Sequence, residues 1–372
     1  MAAPGTAPIP VSLESLSSAS PTEDLLTVIL QAYPNASDVI FSPGRSFQIH
    51  VNGEFMSLDI PGFPPLSADD TRRIASDLIG NNKAAINMLR EQGYCDISYA
   101  LPRTARFRVN VFIQRGSCAV VMRVIPTVIP SFKTLGLPPQ LSEIAQLYDG
   151  LVLITGPRGA GKSSTLAALI DYINENETRH IITIEDPIEF LHNHKRCTIH
   201  QRELHSDTPT ISQAMQAALR QAPNVIVVGE LKDHEAMELA LDAAESGHVV
   251  LSTMNTLNAQ QTIERFVTEF PETEHNSVRN RLQRTLRYVV SQRLVPRKND
   301  EGRNPVFEIL KAGSEALDRL LLKSDGAASK ANDGIDSQIE DLVRAGIVSR
   351  EIAMAHAMDP KALAEKLGGR NS

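Results

Sequence analysis

Residues 156–163 read Gly-Pro-Arg-Gly-Ala-Gly-Lys-Ser and fit the pattern G-x-x-x-x-G-K-[ST]. In that pattern the glycines let backbone N–H groups converge on phosphate oxygens, and a helix opening directly behind them adds the positive end of its dipole. Here the run LVLIT precedes the loop and SSTLAALIDYI follows it, so a strand and a helix flank it as the chemistry requires. Gly156, Gly159, Ala160, Gly161, Lys162, Ser163 and Ser164 are therefore the candidate nucleotide ligands. Lys162 would reach the β- and γ-phosphates, and the Ser163 hydroxyl would hold Mg²⁺. A hydrolase also needs a carboxylate to orient water and acidic groups around the metal. Two strand ends offer them. VIVVGE (225–230) closes on Glu230, with Gly229 where an aspartate often stands; TIEDPIEF (183–190) offers Glu185, Asp186 and Glu189.

These groups need a sheet to hold them. LVLIT, HIITIE, VIVVGE and HVVLST are short β-branched runs, mostly separated by helical stretches at Ser163–Asn174, Ser212–Gln221, Asp233–Glu245 and Ala259–Glu269. Alternating strands and helices predict a doubly wound α/β core. Val278, Leu282, Leu286 and Val289 form a stripe at helical spacing, which predicts a helical tail. The arginines of NSVRNRLQRTLRYVVSQR (276–293) read as the solvated face of that helix. SDGAASKANDG (324–334) reads as a break before further helices.

Ahead of the core, DVIFSPG, FQIHVNGEFMSLDI, YCDISYAL, ARFRVNVFIQRG and SCAVVMRVI read as strands, with Asn52-Gly53 as a hairpin turn and a helix from Ala68 to Ile79. The expected organisation is a tail at 1–22 that is too polar and proline-rich to pack, a small α+β domain at 23–126, a linker at 127–140, and the core with C-terminal helices at 141–372. Pro126, Pro130, Pro138 and Pro139 mark the linker.

Composition excludes several classes. The net charge of −7, from 37 basic and 44 acidic residues, argues against a dedicated nucleic-acid or anionic-membrane binder, and no nucleic acid is expected. Cys95, Cys118 and Cys197 are too few and too scattered for a disulfide framework and fit a reducing compartment. The first twenty residues lack a basic start and a long apolar stretch, so no signal peptide is expected. HNHKRCTIHQRELH (192–205) holds four histidines and Cys197, but at spacings that match no common zinc motif.

Taken in order, GPRGAGKSSTLAALIDYIN, HIITIEDPIEF, QRELHSDT and ALRQAPNVIVVGELKDHEAMELALDAAESGH resemble the type II/IV secretion-system ATPases. Within that superfamily they look like the PilT-like retraction motors of type IV pili. LVRAGIVSREIAMAHAMDP resembles the C-terminal helices of the same family. The resemblance implies a RecA-like P-loop core preceded by a PAS-like domain, and a homo-hexameric, ATP-hydrolysing motor. It also implies a cytoplasmic position at the inner-membrane base of a pilus machine, acting on a platform protein there, with a paralogous retraction motor as a further partner. Residue by residue, Glu189 matches the acidic-box glutamate, Glu230 the water-activating glutamate and His248 the first histidine of the His box. Arg106, Arg108 and Arg123 match arginines that reach phosphates; on residue type alone Arg106 and Arg108 also fit the charged face of an edge strand. Two positions depart from the family. Thr253-Met254-Asn255-Thr256 has Asn255 where a second histidine stands, which removes any cationic role there. Ala316-Leu317-Asp318-Arg319-Leu320-Leu321 has Asp318 where an arginine stands.

Overall fold

The computed structural model describes residues 22–51, 54–58, 64–101, 104–125, 128–298, 302–322 and 333–368. The tail up to residue 21, the Asn52-Gly53 turn, Pro126 and most of the 324–334 break lie outside them. The chain divides into two compact units. The first holds the residues up to 127 together with Glu189–Leu191, and the second holds the rest.

The first unit is one antiparallel sheet with helices. Its elements are α1 (Thr22–Ala32), β1 (Ala36–Phe41), β2 (Phe47–Val51), β3 (Glu54–Leu58), α2 (Ala68–Ile79), α3 (Lys83–Gln92), β4 (Tyr94–Leu101), β5 (Ala105–Gln114) and β6 (Ser117–Ile125), with strand order β3-β2-β1-β6-β5-β4. Ser67 caps α2 through a reciprocal box with Asp70, which fixes where that helix starts. β5 alternates: Phe107, Val109 and Val111 are buried, while Arg108 is exposed. The strand is interior, flanked by β4 and β6, and not the edge that its charged face suggested.

The second unit begins within the proline-rich stretch. That stretch carries α4 (Phe132–Leu135) and a 3₁₀ turn (Pro139–Gln146), and Leu137, Leu141 and Ile144 are buried in the core. Then come β7 (Gly150–Thr155), α5 (Lys162–Asn176), β8 (His180–Glu185), β9 (Thr198–Glu203), α6 (Ile211–Ala218), β10 (Val225–Val228), α7 (His234–Glu245), β11 (Val249–Met254), α8 (Ala259–Thr268), α9 (His275–Thr285), β12 (Leu286–Pro296) and β13 (Arg303–Lys311). Helices α10 (Glu315–Leu322), α11 (Asp333–Arg344), α12 (Arg350–His356) and α13 (Pro360–Gly368) close the chain.

The sheet order is β13-β12-β7-β11-β10-β8-β9, all parallel except β13. Every residue of β7, β10 and β11 is buried. Helices cover both faces, so these strands read as unbroken apolar runs rather than alternating ones. Leu153, Ile182 and Ile226 pack with α6 and α7 on one face; Val152, Ile181 and Val227 pack with α5 on the other. Side chains of this size each contribute about 1.5–3 kcal/mol by leaving water.

The expected helical tail is corrected here. The stripe of Val278, Leu282, Leu286 and Val289 spans two elements, because α9 ends at Thr285 and Leu286 begins β12. Leu286–Pro296 is rich in valine and pairs in parallel with β7, and that burial overrides the local helical spacing. The arginines do not share one solvated face. Arg281 meets Glu238 at 2.8 Å and Asp242 at 2.6 Å on α7, whereas Arg293 lies on β12.

Candidate nucleotide site

Ligands of open parallel sheets lie beyond the C-terminal ends of the strands. In the second unit the phosphate loop follows β7, Asn255 follows β11, Glu230 follows β10, Glu185 ends β8 and Asp186 follows it. Because β11 lies between β7 and β10, Asn255 stands between Lys162 and Glu230.

Those three side chains form one hydrogen-bonded chain. Lys162 is buried at the start of α5. Its Nζ donates to the Gly156 carbonyl at 2.9 Å, the Pro157 carbonyl at 3.1 Å and Asn255 Oδ1 at 2.8 Å. Asn255 Nδ2 in turn donates to Glu230 Oε1. An ammonium has three N–H groups. Two of them tie the loop closed, and the third is held by an amide that a phosphate oxygen could replace.

The loop's shape depends on close backbone approach. Gly156 has φ +155°, and a Cβ there would lie 2.4 Å from the Gln292 carbonyl oxygen on β12. No other residue fits. Ser163 and Ser164 are half-buried in the first turn of α5. Gly159 and Ala160 form the turn before them, with the Ala160 N–H bonded to the Pro157 carbonyl at 3.1 Å.

The acidic groups are not alike. Glu185 Oε1 accepts from the Thr183 hydroxyl at 2.6 Å and from Gln201 at 3.0 Å. Asp186 and Glu230 share a cation that sequence reasoning missed: Lys232 Nζ lies 3.7 Å from Asp186 Oδ2 and 3.6 Å from Glu230 Oε2. Its only sequence signal is a lysine two positions past a strand-end carboxylate. Gln292 was missed as well, although Ser-Gln inside the apolar run Y-V-V-S-Q-R-L-V (288–295) flags buried polar groups in need of partners.

Other expected residues lie elsewhere. His248 precedes β11 at its N-terminal end, where Nδ1 lies 3.1 Å from both the Ala243 carbonyl and the Ser246 hydroxyl. Asn255 is at the opposite end, about 20 Å away by strand rise. Arg106, Arg108 and Arg123 share one face of the first unit's sheet: Arg108 pairs across from Arg123, and Arg123 Nε donates to Asp38 at 2.8 Å. Glu189 is exposed and groups with the first unit. The histidine-rich run is held by hydrogen bonds. Asn174 Oδ1 accepts the backbone N–H groups of Lys195 and Cys197, His194 Nδ1 accepts that of Ile199, and His180 Nε2 lies 2.9 Å from His200 Nδ1. Among the described residues no three His, Cys, Asp or Glu side chains converge to hold a metal, and no helix is long and apolar enough to cross a membrane.

The family described as "Type II/IV secretion system protein" matches residues 92–354, well over half the chain. The chain belongs to the type II/IV secretion system protein family. Its relatives in that family include the "Type IV pilus retractation ATPase PilT" of Pseudomonas aeruginosa. That protein is 38% identical over 340 residues, covering 89% of this chain and 96% of the relative. The "Type IV pilus ATPase PilU" of the same organism is 35% identical, covering 90% of this chain and 88% of the relative. A solved structure of the pilus retraction motor PilT with bound ADP superposes with a TM-score of 0.84 at 38% identity, covering 92% of this chain and 99% of that one. The secretion family's α/β ATPase fold is therefore the fold of this chain.

Proposed function

We propose that this protein is an ATP-hydrolysing motor that drives type IV pilus retraction. The observation that carries the reading is the Lys162–Asn255–Glu230 chain at the phosphate loop, in a sequence 38% identical to a pilus retraction ATPase. The N–H groups of residues 159–164 and the Lys162 ammonium bind the phosphates. When ATP arrives, a phosphate oxygen takes the third Lys162 N–H from Asn255. The Asn255 amide keeps its grip on Glu230 and aims that carboxylate at the attacking water, from which Glu230 accepts the proton.

The donors fit Mg²⁺. They are oxygens, and since no three carboxylates converge among the described residues, the ion would take most of its ligands from phosphate and water, as Mg²⁺ does. Ser163 would hold it directly, with Glu185 and Asp186 behind; when bound it supplies positive charge to the phosphates. Arg106, Arg108 and Arg123 supply further positive charge to phosphates in the assembled homo-hexamer, with Glu189 as the catalytic acidic-box residue and His248 as the phosphate-sensing first histidine of the His box. The ring works on the cytoplasmic side, against an inner-membrane platform protein.

One observation favours a second reading, a weakly hydrolysing partner of another retraction motor: Asn255 is an amide where imidazole could take a proton. Deleting the gene and returning it as wild type or Lys162→Ala tests both. The motor reading expects wild type alone to restore retraction. Loss of retraction with Lys162→Ala tolerated supports the partner, and full retraction in the deletion strain contradicts both.

A further inference from the structure

The geometry points to Gln292 as a positioning residue that aims the phosphate loop, a role that rests on the nucleotide reading above. Gln292 is 3% exposed on β12, the strand beside the one that leads into the loop. Its Nε2 donates to the Ala160 carbonyl at 2.7 Å, and its Oε1 accepts from the Thr165 hydroxyl at 2.7 Å. One buried amide thus grips the last turn of the loop and the first turn of α5 together. Both bonds are short, and both partners are buried.

The consequence follows from the planar, trans peptide. The C=O of Ala160 and the N–H of Gly161 belong to one plane and point in opposite directions. A carbonyl held on Gln292 turns the Gly161 N–H away from β12, toward the side on which the nucleotide reading places the phosphates. If Gln292 lets go, that peptide is free to turn, and an acceptor can face the phosphate in place of a donor. Gly161 itself has φ +84°, and a Cβ there would lie 3.0 Å from Gln292 Nε2, so the amide also sets how small this residue must be. Thr165 links the same amide to the helix whose N-terminus carries Lys162 and Ser163. The side chain bonds the Ala160 carbonyl and the Thr165 hydroxyl, and it acts through them.

The test is ADP titration by calorimetry, with thermal unfolding in parallel, on wild type, Gln292→Leu, Gln292→Glu and Thr165→Val. Gln292→Leu removes both bonds. Gln292→Glu keeps the acceptor for Thr165 but sets a carboxylate oxygen against the Ala160 carbonyl. Thr165→Val removes the helix-side bond alone. ADP affinity should fall about tenfold to a hundredfold in both Gln292 variants, the size expected for two lost hydrogen bonds in Gln292→Leu and for one lost bond plus an oxygen–oxygen repulsion in Gln292→Glu. Thr165→Val should lose less, and adding it to Gln292→Leu should cost nothing further. If Gln292→Leu does not fold, the Gln292→Glu and Thr165→Val comparison stands alone. A folded Gln292 variant that binds ADP as wild type does overturns the brace. Wild type that fails to bind ADP overturns the nucleotide reading, and the brace with it.

Discussion

Replacing Asn255 with alanine separates its two jobs. The side chain accepts from Lys162 at 2.8 Å and donates to Glu230. A hydrogen bond to an ionised group is worth about 1.5–3 kcal/mol. Asn255 is exposed and the Glu230 side chain is 28% exposed, so the lower end applies. About 1.5 kcal/mol lost from the aim of Glu230 corresponds to roughly a tenfold drop in kcat. ATP binding should not weaken, because Lys162 keeps both loop carbonyls and its third N–H no longer has an amide to leave. Asn255→Asp should fall further. It keeps an acceptor for Lys162 but sets a second carboxylate against Glu230, a repulsion of up to about 4 kcal/mol at 4 Å near a protein surface. The assay is phosphate release at saturating ATP, beside calorimetric titration with a non-hydrolysable analogue. Weaker binding with kcat unchanged would refute the reasoning, since Asn255 would then be a phosphate ligand and not the group that aims Glu230.

Two further outcomes follow from the same geometry. Gly156→Ala should abolish ADP binding in titration while the protein still unfolds cooperatively, because its Cβ has no room against β12. Stability should fall on the acid side: burial lowers the His192 pKa from 6.5 to about 4, so the folded chain refuses a proton that the unfolded chain takes. That contribution is intact above about pH 6.5 and is lost as pH falls toward 4, roughly 2 kcal/mol by pH 5. Denaturant unfolding at pH 7 and pH 5 should show it, and His192→Gln should remove it.

The phosphate loop is legible because it is local: eight consecutive residues between a strand and a helix carry their own context. Glu230 is legible as the first charge after a buried run. The Lys162–Asn255–Glu230 chain is not, since it depends on β11 entering the sheet between β7 and β10, a pairing between residues far apart in sequence. β12 is hidden for another reason. A strand buried on both faces loses its two-residue period, and Leu286 and Val289 then fall by accident into the helical spacing begun by Val278 and Leu282. Missing β12 meant missing Gln292, and with it what holds the loop. The alternation of β5 is legible in its sequence, but its place inside the sheet is set by β4, whose partners no local pattern specifies.

The most direct test of the account is ATP turnover by purified wild type and Glu230→Gln at saturating Mg²⁺-ATP, with ATP affinity measured on both. The account predicts measurable turnover in wild type, a loss of at least a hundredfold in Glu230→Gln, the range of positioned general-base contributions, and unchanged affinity. Turnover that survives the substitution would contradict it, because the carboxylate that Asn255 holds would then not be the group that activates water.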